Sequence, residues 1–267
     1  MRSEIRLFWE ISRRSFARQL TYRRAAIAGL LTNLFFGVLR MSVLFALLRG
    51  RGLTEGFSAS DAVTYTGITQ ALIMVMSLFG WFELMNTVYR GEVGSDLLRP
   101  YSYFGFWLAG DAGRAAAQFL MRASPILVLY VALFGLKLPH SGVAGLLVLL
   151  STLLGWFVSF SFRFLINLTA FWSPNALGMG RLAFTMLMFA SGFVLPLTLF
   201  PTWVQTLCAF TPFPSMMQSV VDLWTGKAEG LDALRVLVVQ AAWGAGLFLA
   251  SRVVLVQALR RLVVLGG

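Results

Sequence analysis

The stretch VAGLLVLLSTLLGWFVSFSFRFLINLTAFW, residues 143–172, carries a single charged side chain, Arg163. A helix of about 20 apolar residues already crosses the hydrocarbon layer of a bilayer, so this run spans it with turns to spare. Working outward, comparable apolar runs fall at 26–48, 63–88, 115–136, 177–199 and 233–257. Backbone groups in lipid must bond within their own segment, which predicts helices for all six. Whole-chain composition agrees: 58% of the 267 residues are hydrophobic and 12% are charged, and the mean hydropathy is +0.77. A soluble domain carries about 25% charged residues. The expected fold class is therefore all-α, a polytopic membrane protein whose six transmembrane helices form one domain over 25–267.

Residues 1–24 form a separate unit. They hold seven arginines and no apolar run long enough to span. Ile5, Phe8, Trp9, Phe16 and Leu20 recur at helical spacing while Arg6, Glu10, Arg13 and Arg18 take other faces. That pattern predicts an amphipathic helix lying in the membrane interface. A secretory signal would need a short apolar core followed by a small-residue cleavage site, and this pattern is absent.

The net charge of +11 would suggest nucleic acid in a soluble chain. In a membrane chain arginine also encodes orientation, because short loops rich in Lys and Arg stay cytoplasmic. With the N-terminus inside, fourteen of the 22 basic residues precede span one or fall in inner segments and at the inner ends of spans: Arg90, Arg99, Arg114, Arg181, Arg252, Arg260 and Arg261 join the first seven. Five fall in outer segments or at the outer end of a span (Arg49, Arg51, Lys137, Lys227 and Arg235), and three, Arg40, Arg122 and Arg163, lie deeper within spans. Both termini are expected to be cytoplasmic.

Four of the eight prolines crowd the segment LPLTLFPTWVQTLCAFTPFPS, residues 195–215. Proline ends or kinks a helix, so this apolar stretch does not read as one continuous span. It predicts two short helices, 197–200 and 202–210, that dip back into the outer leaflet as a re-entrant hairpin; an ordinary surface loop is the alternative. Small residues at spacing four occur at Ala109, Gly113 and Ala117 and again at Ala242, Gly246 and Ala250. Such spacing lets helix backbones approach closely, within a bundle or between subunits.

Catalytic chemistry has little to work with. One histidine, His140, and one cysteine, Cys208, make no cluster of soft ligands. The only Gly-Lys pair, Gly226-Lys227, is followed by Ala228 and makes no phosphate loop. No catalytic residue, metal site or cofactor is expected in this chain, which reads as a transport component and not an enzyme. Charges inside spans are functional candidates because burial in lipid costs about 2.5–3.5 kcal/mol each on insertion scales. Glu83, near the inner end of span two, is the one carboxylate assigned to a span, and it is a candidate partner for Arg122 or Arg163. Arg40, Arg122 and Arg163 lie close enough to the boundaries to snorkel. The ion pair reads either as structural or as part of a substrate path, with Asn167 adding a polar stripe one turn after Arg163.

Between spans two and three runs YRGEVGSDLLRPYSYFGF, residues 89–106. Ser95 can cap a short helix whose Leu97, Leu98 and Tyr101 face one way and whose Asp96 and Arg99 face another. Such an element can grip a cytosolic partner or simply lie on the lipid surface.

These features together resemble the type-two ABC transporter permeases. The interfacial helix before span one, the stretch from Gly91 through Glu92 to Pro100, and the Pro196–Gln205 segment with Pro212 and Phe213 occur in the order found in that family. The nearest branch is the small bacterial permeases that include viologen exporters. The resemblance implies a coupling helix at 92–103, with Glu92, Ser95, Asp96, Leu97, Leu98, Arg99, Pro100 and Tyr101 facing cytosolic ATPase subunits. It implies an outer gate at 196–215 built on Pro196, Phe200, Pro201, Trp203, Pro212 and Phe213. It further implies a second permease, self or sister, and ATP with Mg held by the partner ATPase alone. The expected function is ATP-driven export of an amphipathic compound or lipid across a bacterial inner membrane. The alternatives are an ion-coupled secondary transporter, which needs buried carboxylates, and a membrane-embedded transferase, which needs a cluster of acids, histidines or a nucleophile.

Overall fold

A computed structural model describes residues 2–50, 58–94 and 101–261, and it is helical throughout, with no strand among the described residues. The helices are α1 (Arg2–Thr21), α2 (Arg23–Gly50), α3 (Ala59–Met76), α4 (Glu83–Tyr89), α5 (Tyr103–Gln118), α6 (Ser124–Phe134), α7 (Gly142–Leu168), α8 (Ala176–Ala190), α9 (Thr202–Ala209), α10 (Gln218–Trp224) and α11 (Gly230–Leu259). Among the described residues, four helical stretches are long and apolar enough to cross a membrane: Arg24–Leu48, Tyr103–Phe134, Gly142–Phe171 and Gly230–Leu259.

α3 sits at the centre, against α2, α5, α6 and α7. Every residue from Ala62 to Ile73 is buried, including Thr64, Thr66, Thr69 and Gln70. Buried polar groups need partners, and here the amides reciprocate: Asn33 Nδ2 donates to the Gln70 carbonyl and Gln70 Nε2 to the Asn33 carbonyl, both at 3.1 Å. The start of α3 is a capping box. Ser58 Oγ accepts from the Asp61 N–H at 3.2 Å, and Asp61 Oδ2 accepts from the Ser58 N–H at 2.9 Å. Lys137 Nζ lies 3.6 Å from Asp61 Oδ1.

That box makes a pH prediction. Burial opposes ionisation of Asp61, but the bonds from Ser58 and the charge of Lys137 outweigh it and hold the carboxyl below its ordinary value. A folded pKa below the unfolded one stabilises fully above the unfolded value, about pH 4, and the contribution is lost as pH falls through the folded value. Ser58→Ala is expected to cost about 1 kcal/mol at neutral pH. Thermal unfolding of wild type and Asp61→Asn between pH 3 and 7 checks the sign: the two converge at the acid end.

Three expectations about the spans are corrected. Span two does not run unbroken over 63–88: α3 stops at Met76, Ser77 takes φ 53 and Gly80 takes φ 107 before α4 begins. The 78→73 backbone bond, Leu78 N–H to Ile73 carbonyl at 3.2 Å, closes the end in a Schellman-like turn. Span three does not begin at 115; its helix starts at Tyr103, where Ser102 Oγ caps the Gly105 N–H at 3.1 Å. It continues through a π-turn, Phe119–Ala123, into α6. Pro125 supplies the reason, since it has no N–H for the preceding turn and crowds it, and one wide turn relieves both. Span five does not reach 199: α8 ends at Ala190 and Gly192 turns at φ 82.

α1 packs along α5. The Ala109–Gly113–Ala117 stripe is what lets it approach, and Ser12 and Ser15 fill the seam by donating to the carbonyls of Ala109 (2.9 Å) and Gly110 (2.7 Å). Ile5, Phe8 and Trp9 stay exposed on the far side. The second stripe, Ala242, Gly246 and Ala250, lies on the exposed side of α11.

Candidate functional site

The break between α3 and α4 leaves carbonyls at the end of one helix and N–H groups at the start of the next without helical partners. Three residues from other helices satisfy them. Arg114 of α5 donates through Nη1 to the Met74 carbonyl at 2.7 Å and through Nη2 to the Val75 carbonyl at 2.8 Å. Ser159 Oγ of α7 donates to the Met76 carbonyl at 2.6 Å. On the other side, Asn167 of α7 accepts from the Met85 N–H at 3.0 Å and donates to the Trp81 carbonyl at 2.7 Å. The guanidinium of Arg114 thus meets the negative end of the α3 dipole.

Asp111 organises these groups. Its Oδ1 lies 2.6 Å from Arg114 Nε and 3.0 Å from Arg163 Nη1, and its Oδ2 lies 2.8 Å from both Arg163 Nη2 and Trp156 Nε1. Arg163 and Asp111 form a two-bond fork, the strongest arrangement for this pair, with side chains 0% and 1% exposed. Trp81 and Phe160 flank the Arg163 guanidinium at 5.8 and 5.7 Å. Phe104 adds edge-on contacts to Phe160, Phe164 and Phe248 at 5.2, 4.9 and 4.9 Å, joining α5, α7 and α11 in one aromatic cluster beside the pair.

The network forms one wall of a cleft of about 820 Å³ between α1, α4 and α5. Arg14, Arg18 and Gln19 of α1, Glu83, Asn86 and Arg90 on and just beyond α4, and Trp107 of α5 line the rest. Glu83 is exposed at the first turn of α4 and pairs with neither arginine suggested for it. Arg163 takes Asp111 instead. Arg122 sits in the π-turn, its Nη2 3.4 Å from the Ala25 carbonyl and its guanidinium against Gly29. Asn167 is buried and bonds between helices. Glu92 lies in the cleft wall and the Tyr101 ring stacks on Phe106 at 5.5 Å. Ser95, Asp96, Leu97, Leu98, Arg99 and Pro100 lie outside the described residues.

At the opposite end of α3, residues 191–218 fold over the bundle. Gln218 is the hinge of this contact: its N–H donates to the Ser191 carbonyl at 3.1 Å, its Oε1 accepts from Tyr65 Oη at 3.1 Å, and its Nε2 donates to Asp222 at 2.8 Å. Burial raises the Asp222 carboxyl above its ordinary value. Gln240 of α11 donates to the carbonyls of Ser151 and Ser215 at 3.1 and 2.7 Å. Pro196 precedes the 3₁₀ turn Leu197–Leu199, Phe200 follows it, and Pro201 precedes α9, on which Trp203 is 70% exposed. Pro212 and Phe213 turn the chain toward α10, the Phe213 ring meeting Phe162 edge-on at 5.2 Å. Arg40 does not snorkel. Its Nη2 donates inward to the Phe193 carbonyl and to Thr69 Oγ1, and the Phe193 ring lies 4.1 Å from the guanidinium carbon.

Sequence reasoning missed Asp111 and Arg114 because span three was started twelve residues late, at Ala115 and not Tyr103. The signal was present: an acid and a base three apart inside the apolar run from Tyr103 to Phe134. Moving Arg114 out of the loop count leaves the excess of basic residues on the inner segments intact.

The model of the ABC-2 family transporter protein matches residues 32–266. No curated protein and no solved structure matches the chain. A match over nearly the whole length, on a multi-pass helical bundle, makes this chain a member of the ABC-2 transporter family, the membrane-spanning permease component of an ABC transporter whose ATPase activity lies in separate subunits.

Proposed function

We propose that the chain is one half of the permease of a type-two ABC exporter of the viologen-exporter-like branch. It pairs with a second permease, self or sister, to carry an amphipathic compound or lipid out across a bacterial inner membrane. Six spans are then α2, α3–α4, α5–α6, α7, α8 and α11, with both termini and the α1 end of the bundle cytoplasmic, where the excess of arginine lies. α8 has 15 residues, about 22 Å of helix against a hydrocarbon thickness of about 30 Å. The 3₁₀ turn and α9 complete that depth as a re-entrant hairpin, and the 80% exposure of Phe210 suits lipid contact. The exposed Ile5, Phe8 and Trp9 suit an interfacial α1.

The observation that carries the reading is the bonded break. α4 leads from it in sequence toward the coupling segment 92–103, and α1 is clamped to α5 beside it, so in this reading a push from docked ATPases is passed along α4 and α5 to Asp111, Arg114 and Arg163 at the break. ATP and Mg are held by the partner ATPase. The network also bears on the alternative of ion coupling. A proton or sodium relay needs a carboxylate free to change partners, and both Asp111 oxygens are held by guanidinium and indole donors.

The test is co-purification from native membranes. An ABC ATPase is expected in roughly stoichiometric amount, and transport is expected to persist when an uncoupler collapses the proton gradient while ATP stays high. A chain that purifies alone and whose transport stops with the uncoupler overturns the proposal.

A further inference from the structure

The described residues hold two deeply placed arginines with opposite surroundings. Arg163 has its carboxylate, bonded twice. Arg40 has none within ion-pair distance among the described residues: one nitrogen reaches a carbonyl and a threonine hydroxyl, while Nε and Nη1 are buried without a hydrogen-bond partner. It sits eight residues before the end of the apolar window of α2 at Leu48, about 12 Å along the helix. A cation held that deep with two unused donors is costly unless an anion meets it.

Arg40 also lines a pocket of about 290 Å³ between α2, α3, α8 and the 194–200 segment. Tyr65 and Thr66 line its inner side and Phe200 its lid, while Val43 and Phe189, each 52% exposed, stand at its mouth on the membrane-facing surface. The volume falls at the small end of ligand sites, so it admits a headgroup and the first methylenes but not a whole lipid. Charge selects what enters: the guanidinium meets no carboxylate among the described residues and so draws an anionic head, and apolar walls at the mouth suit an alkyl chain that remains in the bilayer.

We propose that this pocket binds an amphiphile with a single anionic headgroup, the head on Arg40 and the chain leaving past Val43 and Phe189. The site rests on the chain's being a multi-pass membrane protein and not on any ATPase partner, so it stands or falls separately from ATP-driven export. A phosphate head can come from a single-chain alkyl phosphate or from a phospholipid, and the experiment distinguishes them.

The full chain is placed in nanodiscs of phosphatidylcholine with either a photoactivatable hexadecyl phosphate or a photoactivatable phosphatidic acid. Labelled peptides are read by mass spectrometry. Labelling is expected on the peptides carrying Val43 and Phe189, by the first probe alone for a single-chain ligand and by the second for a phospholipid. On wild-type protein, unlabelled hexadecyl phosphate competes and hexadecanol does not. Arg40→Gln lowers the labelling at least about tenfold, as expected for the loss of charge-assisted hydrogen bonds. Equal competition by hexadecanol, or no labelling of these peptides by either probe, overturns the proposal. Because the competition uses wild-type protein, it decides the matter even where Arg40→Gln does not fold.

Discussion

Asp111→Ala is expected to destabilise the bundle by about 3–5 kcal/mol, the range for removing one partner of a buried ion pair. The carboxylate accepts four donors at 2.6, 2.8, 2.8 and 3.0 Å, and without it the fully buried guanidinium of Arg163 has no countercharge. Damage spreads from there. Arg114 loses the anchor that aims it at the Met74 and Val75 carbonyls, so the end of α3 loses its cap at the same time. Asp111→Asn is expected to do less harm, because one oxygen still accepts, but its amide N–H groups face donors. The informative rescue is the double variant Asp111→Leu with Arg163→Met. Replacing a buried pair by apolar groups of similar volume is often neutral, so the double variant removes the uncompensated Arg163 charge, while Arg114 loses its anchor as in Asp111→Ala. The measurement is the monodisperse fraction of detergent-solubilised protein after heating. Asp111→Ala is expected to aggregate at markedly lower temperature and the double variant to recover the share of the loss that comes from the unpaired Arg163. An Asp111→Ala protein that survives as wild type would show that the network does not hold the break.

Gly113→Leu is expected to undock α1. A Cβ at Gly113 would lie 2.0 Å from the Ser12 carbonyl oxygen and 2.9 Å from the Phe16 nitrogen. Both are backbone atoms within a helix, so no side-chain rotation relieves the overlap and α1 must move as a body. With it go the Ser12 and Ser15 bonds to the α5 carbonyls. The bundle itself is expected to persist, because α5 keeps its aromatic contacts to α7 and α11. Cross-linking of Ser15→Cys to Gly110→Cys with a short bismaleimide reports the docking: Ser15 Oγ lies 2.7 Å from the Gly110 carbonyl, and a Cβ at Gly110 meets nothing within 4 Å, which leaves room for the linker. Cross-linking is expected to be efficient while Gly113 is intact and to fall to background once Gly113→Leu is added. ATP-driven transport is expected to fail in the same variant. Retained cross-linking would show that α1 reaches α5 by another face.

Much of the architecture was legible along the chain. The run at 143–172 reads directly as the long helix α7, and the proline crowding at 195–215 marks where helix gives way to short turns. Both signals are local: a run of apolar side chains and a missing N–H act on their own neighbourhood. The break at Ser77 was not legible, because the apolar pattern of 63–88 continues through it. It exists because Arg114, Ser159 and Asn167, from two other helices, partner the freed backbone groups. The Glu83 pairing failed for the same reason. Its charge faces the cleft, while a carboxylate that composition alone assigned to a loop holds the buried arginine.

The sequence by itself determined that this chain lives in lipid as a helical bundle and which end carries the arginines, because hydropathy and charge act residue by residue against the solvent. Tertiary structure alone decided that Arg163 meets a carboxylate and that Arg40 meets none among the described residues. Asp111 and Arg163 are 52 residues apart, and whether a guanidinium in the membrane meets a carboxylate depends on which helix faces it, a property of packing that no local pattern encodes.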